Sequence, residues 1–164
     1  MRVILVRHAD AGDLDPTCYP DDRLRPLTPR GEREHADVAA ALARLGLGVT
    51  HILTSPLTRA RQTAEITART LGVDGIALVD ALGDRFSLDG VLDELSALPS
   101  HAVVVCVGHE PHISRLAATL LHGDGSLRIA FAKSAVMALE CQGRPAPGGA
   151  RLVFFVTPRE VAPR

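Results

Sequence analysis

The sequence predicts an α/β fold: a three-layer α/β/α sandwich on a mostly parallel, mixed sheet, with residues 1–164 forming a single domain. Short apolar runs alternate with stretches of helical period, the order that builds strand–helix units. The runs Val3–Val6 and Ala102–Val107 are continuous rather than alternating, so both faces of those strands should be covered. The last two runs are joined by the Pro- and Gly-rich segment Gly143–Gly149, which suits an antiparallel hairpin and makes the sheet mixed at one side.

The first strand, Val3–Val6, stops at Arg7-His8. Ala9–Pro26, rich in Asp, Pro and Gly, reads as a long loop of the kind that often carries function. Thr28 and Pro29 fit the N-cap and first position of a helix. Val38, Leu42 and Leu45 recur along it at helical spacing, and Gly46 or Gly48 ends it. A second strand spans Val49–Thr54. Ser55-Pro56 repeats the cap signature, so the next helix is expected from Pro56 to Leu71, stopped by Gly72. Ala60, Ala64, Ala68 and Leu71 give that helix a small-residue face. Ile76–Val79 is a short third strand, and Ser87 caps a helix through Leu98. Ala102–Val107, the most apolar run, reads as a central strand; Gly108-His109-Glu110-Pro111 breaks it, and Pro111 begins a helix to Leu121. Lys133–Cys141 and Arg151–Val156 are the final strands.

Apolar residues make up 46% of the chain and aromatics 3%, with no Trp, so the core must be built from Val, Leu, Ile and Ala. A net charge of -1 with dispersed arginines argues against a nucleic-acid or membrane-surface partner. No apolar run reaches the roughly 20 residues of a bilayer span, and the amino terminus shows no signal-peptide pattern. Cys18, Cys106 and Cys141 are few and widely spaced, which suits free thiols and, with the missing signals, a cytoplasmic location.

Three segments share one pattern of strand, break and polar group: Val6-Arg7-His8, Thr54-Ser55-Pro56-Leu57-Thr58-Arg59, and Val107-Gly108-His109. At the carboxyl ends of neighbouring parallel strands they would emerge at one sheet edge, where such folds bind ligands. Two arginines and two histidines at one point suit a dianionic phosphoryl group. Guanidinium forks match its oxygens, helix amino termini add favourable dipoles, and a neutral imidazole is a competent nucleophile. Arg61, two positions from Arg59, should face elsewhere.

Arg7-His8-Ala9, Leu27-Thr28-Pro29 with Gly31, the run Ser55 to Ala64, and Val107-Gly108-His109-Glu110-Pro111 resemble, in this order, the motifs of the histidine phosphatase superfamily, whose fold is phosphoglycerate mutase-like. The small size, without an inserted cap domain, and Ser134-Ala135-Val136 entering a strand are similar to its SixA branch, the phosphohistidine phosphatases. The resemblance implies that His8 is the nucleophile and becomes phosphorylated. It implies that Arg7, Arg59 and His109 hold the phosphoryl oxygens, and that hydrolysis needs no metal or other cofactor. The partner would be a phosphorylated protein carrying phosphohistidine, in signal transduction or phosphocarrier transfer, or else a small phosphorylated metabolite.

Many small-molecule members of that superfamily carry a Glu proton donor just after the third strand, whereas Val79-Asp80-Ala81-Leu82-Gly83-Asp84 has none. Asp80 and Asp84 are the candidate substitutes; Asp10, Asp13 and Asp15 are candidates for orienting His8 or the leaving group. A missing donor disfavours alkyl phosphates, whose alkoxide must be protonated, and is better tolerated for a phosphoramidate. Two other readings are a sugar or metabolite phosphatase that uses the loop from Asp10 to Arg25 as a selective pocket, and a non-catalytic phosphate-binding module. A metal hydrolase on His8, Asp10, His109 and His112 lacks the i, i+4 spacing of zinc helices. A cysteine phosphatase fails because Leu24, His112 and Pro147, not Arg, stand six positions after the three cysteines. His35, His51, His101 and His122 show no partner pattern.

Overall fold

The computed structural model describes residues 1–161, and its strands and helices alternate as expected. They are β1 (Arg2–Arg7), α1 (Pro29–Arg44), β2 (His51–Thr54), α2 (Thr58–Leu71), β3 (Ala77–Leu78), α3 (Leu88–Ala97), β4 (Val103–Gly108), α4 (His112–His122), β5 (Val136–Cys141), β6 (Ala150–Val156) and one turn of helix, α5 (Pro158–Val161). The sheet runs β3-β2-β4-β1-β5-β6. Its first four strands are mutually parallel, and β5 and β6 are antiparallel to their neighbours, so the mixed character lies at one side.

The two sheet faces are filled by alternate side chains of the same strands. On one face Ile4, Val6, Ile52, Val105 and Val107 pack under Val38 and Leu42 of α1 and Ala60, Ala64 and Ala68 of α2. On the other, Val3, Leu5, Val104 and Cys106 pack under Val91 and Leu95 of α3 and Ile113, Leu116 and Leu120 of α4. These are the three expected layers. The alanine face of α2 lets its backbone come close to the sheet, which brings the residues of its first turn near the strand ends.

Helix α1 begins as its sequence requires: the Thr28 hydroxyl accepts the Gly31 N–H at 2.9 Å and Pro29 occupies the first turn. Gly31 has a second role. A Cβ there would lie 2.1 Å from the Asp10 carbonyl oxygen, so only glycine lets the helix start against the backbone leaving β1. Ser55-Pro56, by contrast, does not cap α2. That helix starts at Thr58 with Leu57 at the cap, because the Ser55 hydroxyl is engaged elsewhere, by the Leu57 N–H at 3.2 Å and by His109. The third strand shortens to two exposed residues at the sheet edge. Two short 3-10 turns are added: Asp22–Leu24 lies in the long loop after β1, and Asp80–Leu82 follows β3.

Candidate active site

Strands β1 and β4 are parallel neighbours with Arg7 paired to Gly108, so the residues that follow, His8 and His109, leave the sheet side by side. The His8 N–H donates to the Gly108 carbonyl at 3.0 Å, and the two imidazoles lie 4.9 Å apart, tilted by 53°. Arg59, the second residue of α2, and Arg7, the last of β1, bring guanidinium groups to the same edge. His8, Arg59 and His109 each keep 8% exposure, so the site is recessed yet open to solvent.

The hydrogen bonds fix both imidazole tautomers. His8 Nδ1 lies 2.7 Å from the Ala9 carbonyl oxygen, which can only accept, so Nδ1 carries the proton and Nε2 presents a lone pair. Burial, then the cations Arg59, Arg7 and Arg25, push His8 down to about 4 against the effect of the Ala9 bond, so it is neutral at pH 7. The fully buried Ser55 hydroxyl lies 2.8 Å from His109 Nε2 and already accepts the Leu57 N–H. Its own proton needs an acceptor, which Nε2 supplies; His109 therefore carries its proton on Nδ1. Burial, with His8 and Arg59 nearby, pushes His109 down to about 3. His109 Nδ1, Arg7 Nε and Arg59 Nε are buried with no protein partner among the described residues. Three N–H donors without a protein partner thus belong to the residues that share the strand ends with His8, the kind of equipment that binds an oxyanion.

The loop after β1 closes on this group through two residues that the sequence reading did not single out. Asp22 accepts Arg59 at both its carbonyl, 2.8 Å, and its carboxylate, 3.2 Å. Arg25 bonds the same carboxylate at 2.7 Å and spans the Ala11 and Gly12 carbonyls at 2.9 and 2.8 Å. Arg25 first, and Arg59 with it, hold the Asp22 carboxyl below its usual range, so it is ionised at neutral pH. Arg7 is steadied from the far side. Its guanidinium donates to the Phe131 carbonyl at 2.7 Å, and the Phe131 N–H in turn reaches the Glu110 carboxylate at 2.8 Å.

The remaining candidates lie further out. Asp80 and Asp84 are exposed and line a cleft of about 230 Å³ with Arg23, Pro56, Leu57 and Arg85; Asp84 pairs with Arg23 at 3.6 Å. Asp10 ties its loop to Thr28 and to Lys133, Asp15 folds onto the Thr17 N–H and hydroxyl, and Asp13 is exposed. Arg61 is exposed, 3.9 Å from Glu65. His112 is half-buried and stacks on Phe86 at 4.4 Å.

A family model described as the histidine phosphatase superfamily (branch 1) matches residues 3–87. A Picosynechococcus protein of no assigned function is 36% identical over 142 residues, 85% of this chain and 84% of its own length. The chain belongs to the histidine phosphatase superfamily. This histidine phosphatase superposes on the solved protein histidine phosphatase SixA complexed with tungstate with a TM-score of 0.85 and 27% identity, covering 98% of this chain and 99% of that one. Its fold is accordingly phosphoglycerate mutase-like. Over a shorter stretch, 46% of this chain, it is 40% identical to a Cronobacter sakazakii protein named as a probable phosphoglycerate mutase, of which it spans 34%.

Proposed function

We propose that this chain is a metal-independent phosphatase that hydrolyses phosphohistidine displayed on a protein, through a phosphoenzyme formed at Nε2 of His8. The observation that carries this reading is the tautomer of His8: a neutral imidazole whose Nδ1–H is held by Ala9, which leaves Nε2 as a lone pair at a sheet edge shared with donors of Arg7, Arg59 and His109 that lack a protein partner among the described residues. Nε2 attacks phosphorus in line. As the new N–P bond forms, the bond to the substrate imidazole breaks, and its electron pair stays on that ring's nitrogen, which takes a proton from solvent water. Arg7, Arg59 and His109 Nδ1–H hold the equatorial oxygens as charge builds on them. Water then attacks the phosphoenzyme, releasing orthophosphate and restoring His8.

The choice of leaving group rests on Asp22. It is the carboxylate that touches the site's arginines, and it is held ionised by them, so it is unsuited to protonating an alkoxide. An imidazole leaving group does not make that demand. One observation favours a second reading, a small-metabolite phosphatase: Asp22 and Arg25 clamp the loop beside the site, as a selective pocket would need, and Asp80 or Asp84 would then be the proton donor.

A side-by-side hydrolysis assay on a phosphohistidine protein and a panel of phosphate esters, with His8→Ala as control and with chelator present, tests the proposal. Faster release from phosphohistidine, abolished in His8→Ala and unchanged by chelator, is expected. Preference for one ester selects the second reading, and undiminished turnover by folded His8→Ala removes the nucleophile assignment.

A further inference from the structure

His35 lies on the stripe of α1 that faces the core, among Val38, Ala39 and Leu42, and is fully buried. An apolar side chain would fill such a place without needing partners; an imidazole is tolerated only when both ring nitrogens are satisfied. Here both are. Nε2 lies 2.9 Å from the Thr67 hydroxyl and Nδ1 3.2 Å from the Ser134 hydroxyl. Thr67 has already donated its proton to the Thr63 carbonyl at 3.0 Å, so it accepts from His35 Nε2–H. Nδ1 is left as an acceptor for the Ser134 hydroxyl proton. Burial pushes His35 down to about 4, which keeps it in this neutral form.

Ser134 has a φ of 60°, the left-handed region that a side chain disfavours, and it is the non-glycine residue found there among the described residues. In that conformation its N–H reaches the carbonyl oxygens of Arg7 at 3.2 Å and His8 at 3.3 Å, while Ala135 next to it accepts the Arg7 N–H at 3.2 Å. The other branch of the network ends on the same backbone. Thr63 accepts the Ala9 N–H at 3.0 Å and donates to the Arg59 carbonyl at 2.7 Å.

We propose that His35 is a positioning residue: its bond to the Ser134 hydroxyl holds Ser134 in the left-handed conformation, and Ser134 in turn fixes the peptide that carries Arg7 and His8. The inference rests on the reading of His8 as nucleophile.

The test compares two substitutions that both delete the hydroxyl. Ser134→Ala removes the bond to His35 and keeps the steric penalty of the left-handed backbone, whereas Ser134→Gly removes the bond and the penalty together. Turnover of para-nitrophenyl phosphate is measured, with circular dichroism and inhibition by orthophosphate recorded for each variant. Ser134→Ala is expected to lower kcat by about tenfold, and Ser134→Gly is expected to retain several-fold more activity than Ser134→Ala. His35→Leu should match Ser134→Ala, and Ser134→Gly placed in His35→Leu should recover much of the loss. If Ser134→Ala keeps wild-type kcat, or if Ala and Gly lose activity equally, the positioning role is wrong. If His35→Leu does not fold, the Ala–Gly comparison in the His35 background still decides. Full activity in folded His8→Ala would instead overturn the nucleophile reading, so the two failures are distinguishable.

Discussion

Acidification from pH 7.5 to 5 should remove a large part of the stability of this fold, because three histidines are buried in their neutral form. Burial is the main cause in each case, and it pushes His8 and His35 to about 4 and His109 to about 3. In the unfolded chain each would titrate near 6.5. Between those values the unfolded chain binds protons that the native chain does not, so stability falls as pH drops through 6.5 towards 4. At pH 5 each group lies about 1.5 units below its unfolded value, which at about 1.36 kcal/mol per unit costs about 2 kcal/mol. Three such groups sum to about 6 kcal/mol, the lower end of the margin of an ordinary domain, about 5–15 kcal/mol. The carboxyls of Asp10 and Asp22, held low by Lys133 and Arg25 respectively, have the opposite sign: they stabilise above an unfolded value of about 3.9 and lose that contribution only below it. The window from 6.5 to 5 therefore belongs to the histidines. Urea unfolding followed by circular dichroism at pH 7.5, 6 and 5, at constant ionic strength, measures the effect. His35→Leu should remove about a third of the pH dependence. A stability constant to within about 1 kcal/mol over that range would refute the reasoning.

Two further substitutions probe the site and its support. Arg59→Ala should lower kcat by about 10²–10³, the loss typical of one preorganised donor, and should raise KM as Asp22 loses one of its two arginine partners and the loop slackens; steady-state kinetics with Arg59→Lys alongside checks it, and Lys should recover little because the fork is lost. Gly31→Ala should destabilise the fold by about 2–3 kcal/mol, because the added methyl meets the backbone oxygen of Asp10 at 2.1 Å rather than a side chain that can turn away. A thermal melt gives the loss directly, and an unchanged melting temperature would mean that the helix start can shift.

What the sequence made legible are features written in neighbouring residues. Continuous apolar runs mark buried strands, and the residue after each run must stand at the sheet edge, so Arg7-His8 and His109 fell into place from the runs alone. The cap of α1 was equally local. The start of α2 was misplaced because Ser55 had two possible uses, and the bond to His109, 54 positions away, displaced the capping role. Asp22 and Arg25 are not legible in the sequence, because a loop without periodicity gives no sign of which polar side chain turns inward. His35 did carry a signal: it falls in step with Val38 and Leu42 on the core stripe of α1. Its partners, Thr67 and Ser134, lie 32 and 99 positions along the chain and share no motif with it.

The acid sensitivity of the fold and the chemistry of the site have one physical origin. A cation-lined pocket binds a dianion strongly only if it is shielded from water, since the same charges are worth several-fold less at high dielectric. Shielding leaves Arg7 Nε, Arg59 Nε and His109 Nδ1 buried without protein partners among the described residues, and each such group costs about 1–3 kcal/mol. The same shielding keeps His8 neutral beside three guanidinium groups. On the proposed reaction a phosphoryl group would satisfy those donors, and its charge on the equatorial oxygens would grow as Nε2 attacks, so the donors would gain most in the transition state. The rest of the molecule must hold this costly arrangement in place. It does so with backbone contacts from outside the pocket: Asp22 on Arg59, Phe131 on Arg7, and Ser134 on the peptide between Arg7 and His8. Ser134 is the one of these held in a disfavoured conformation, which is why the bond from His35 would, on the proposed mechanism, matter to a nucleophile it does not touch.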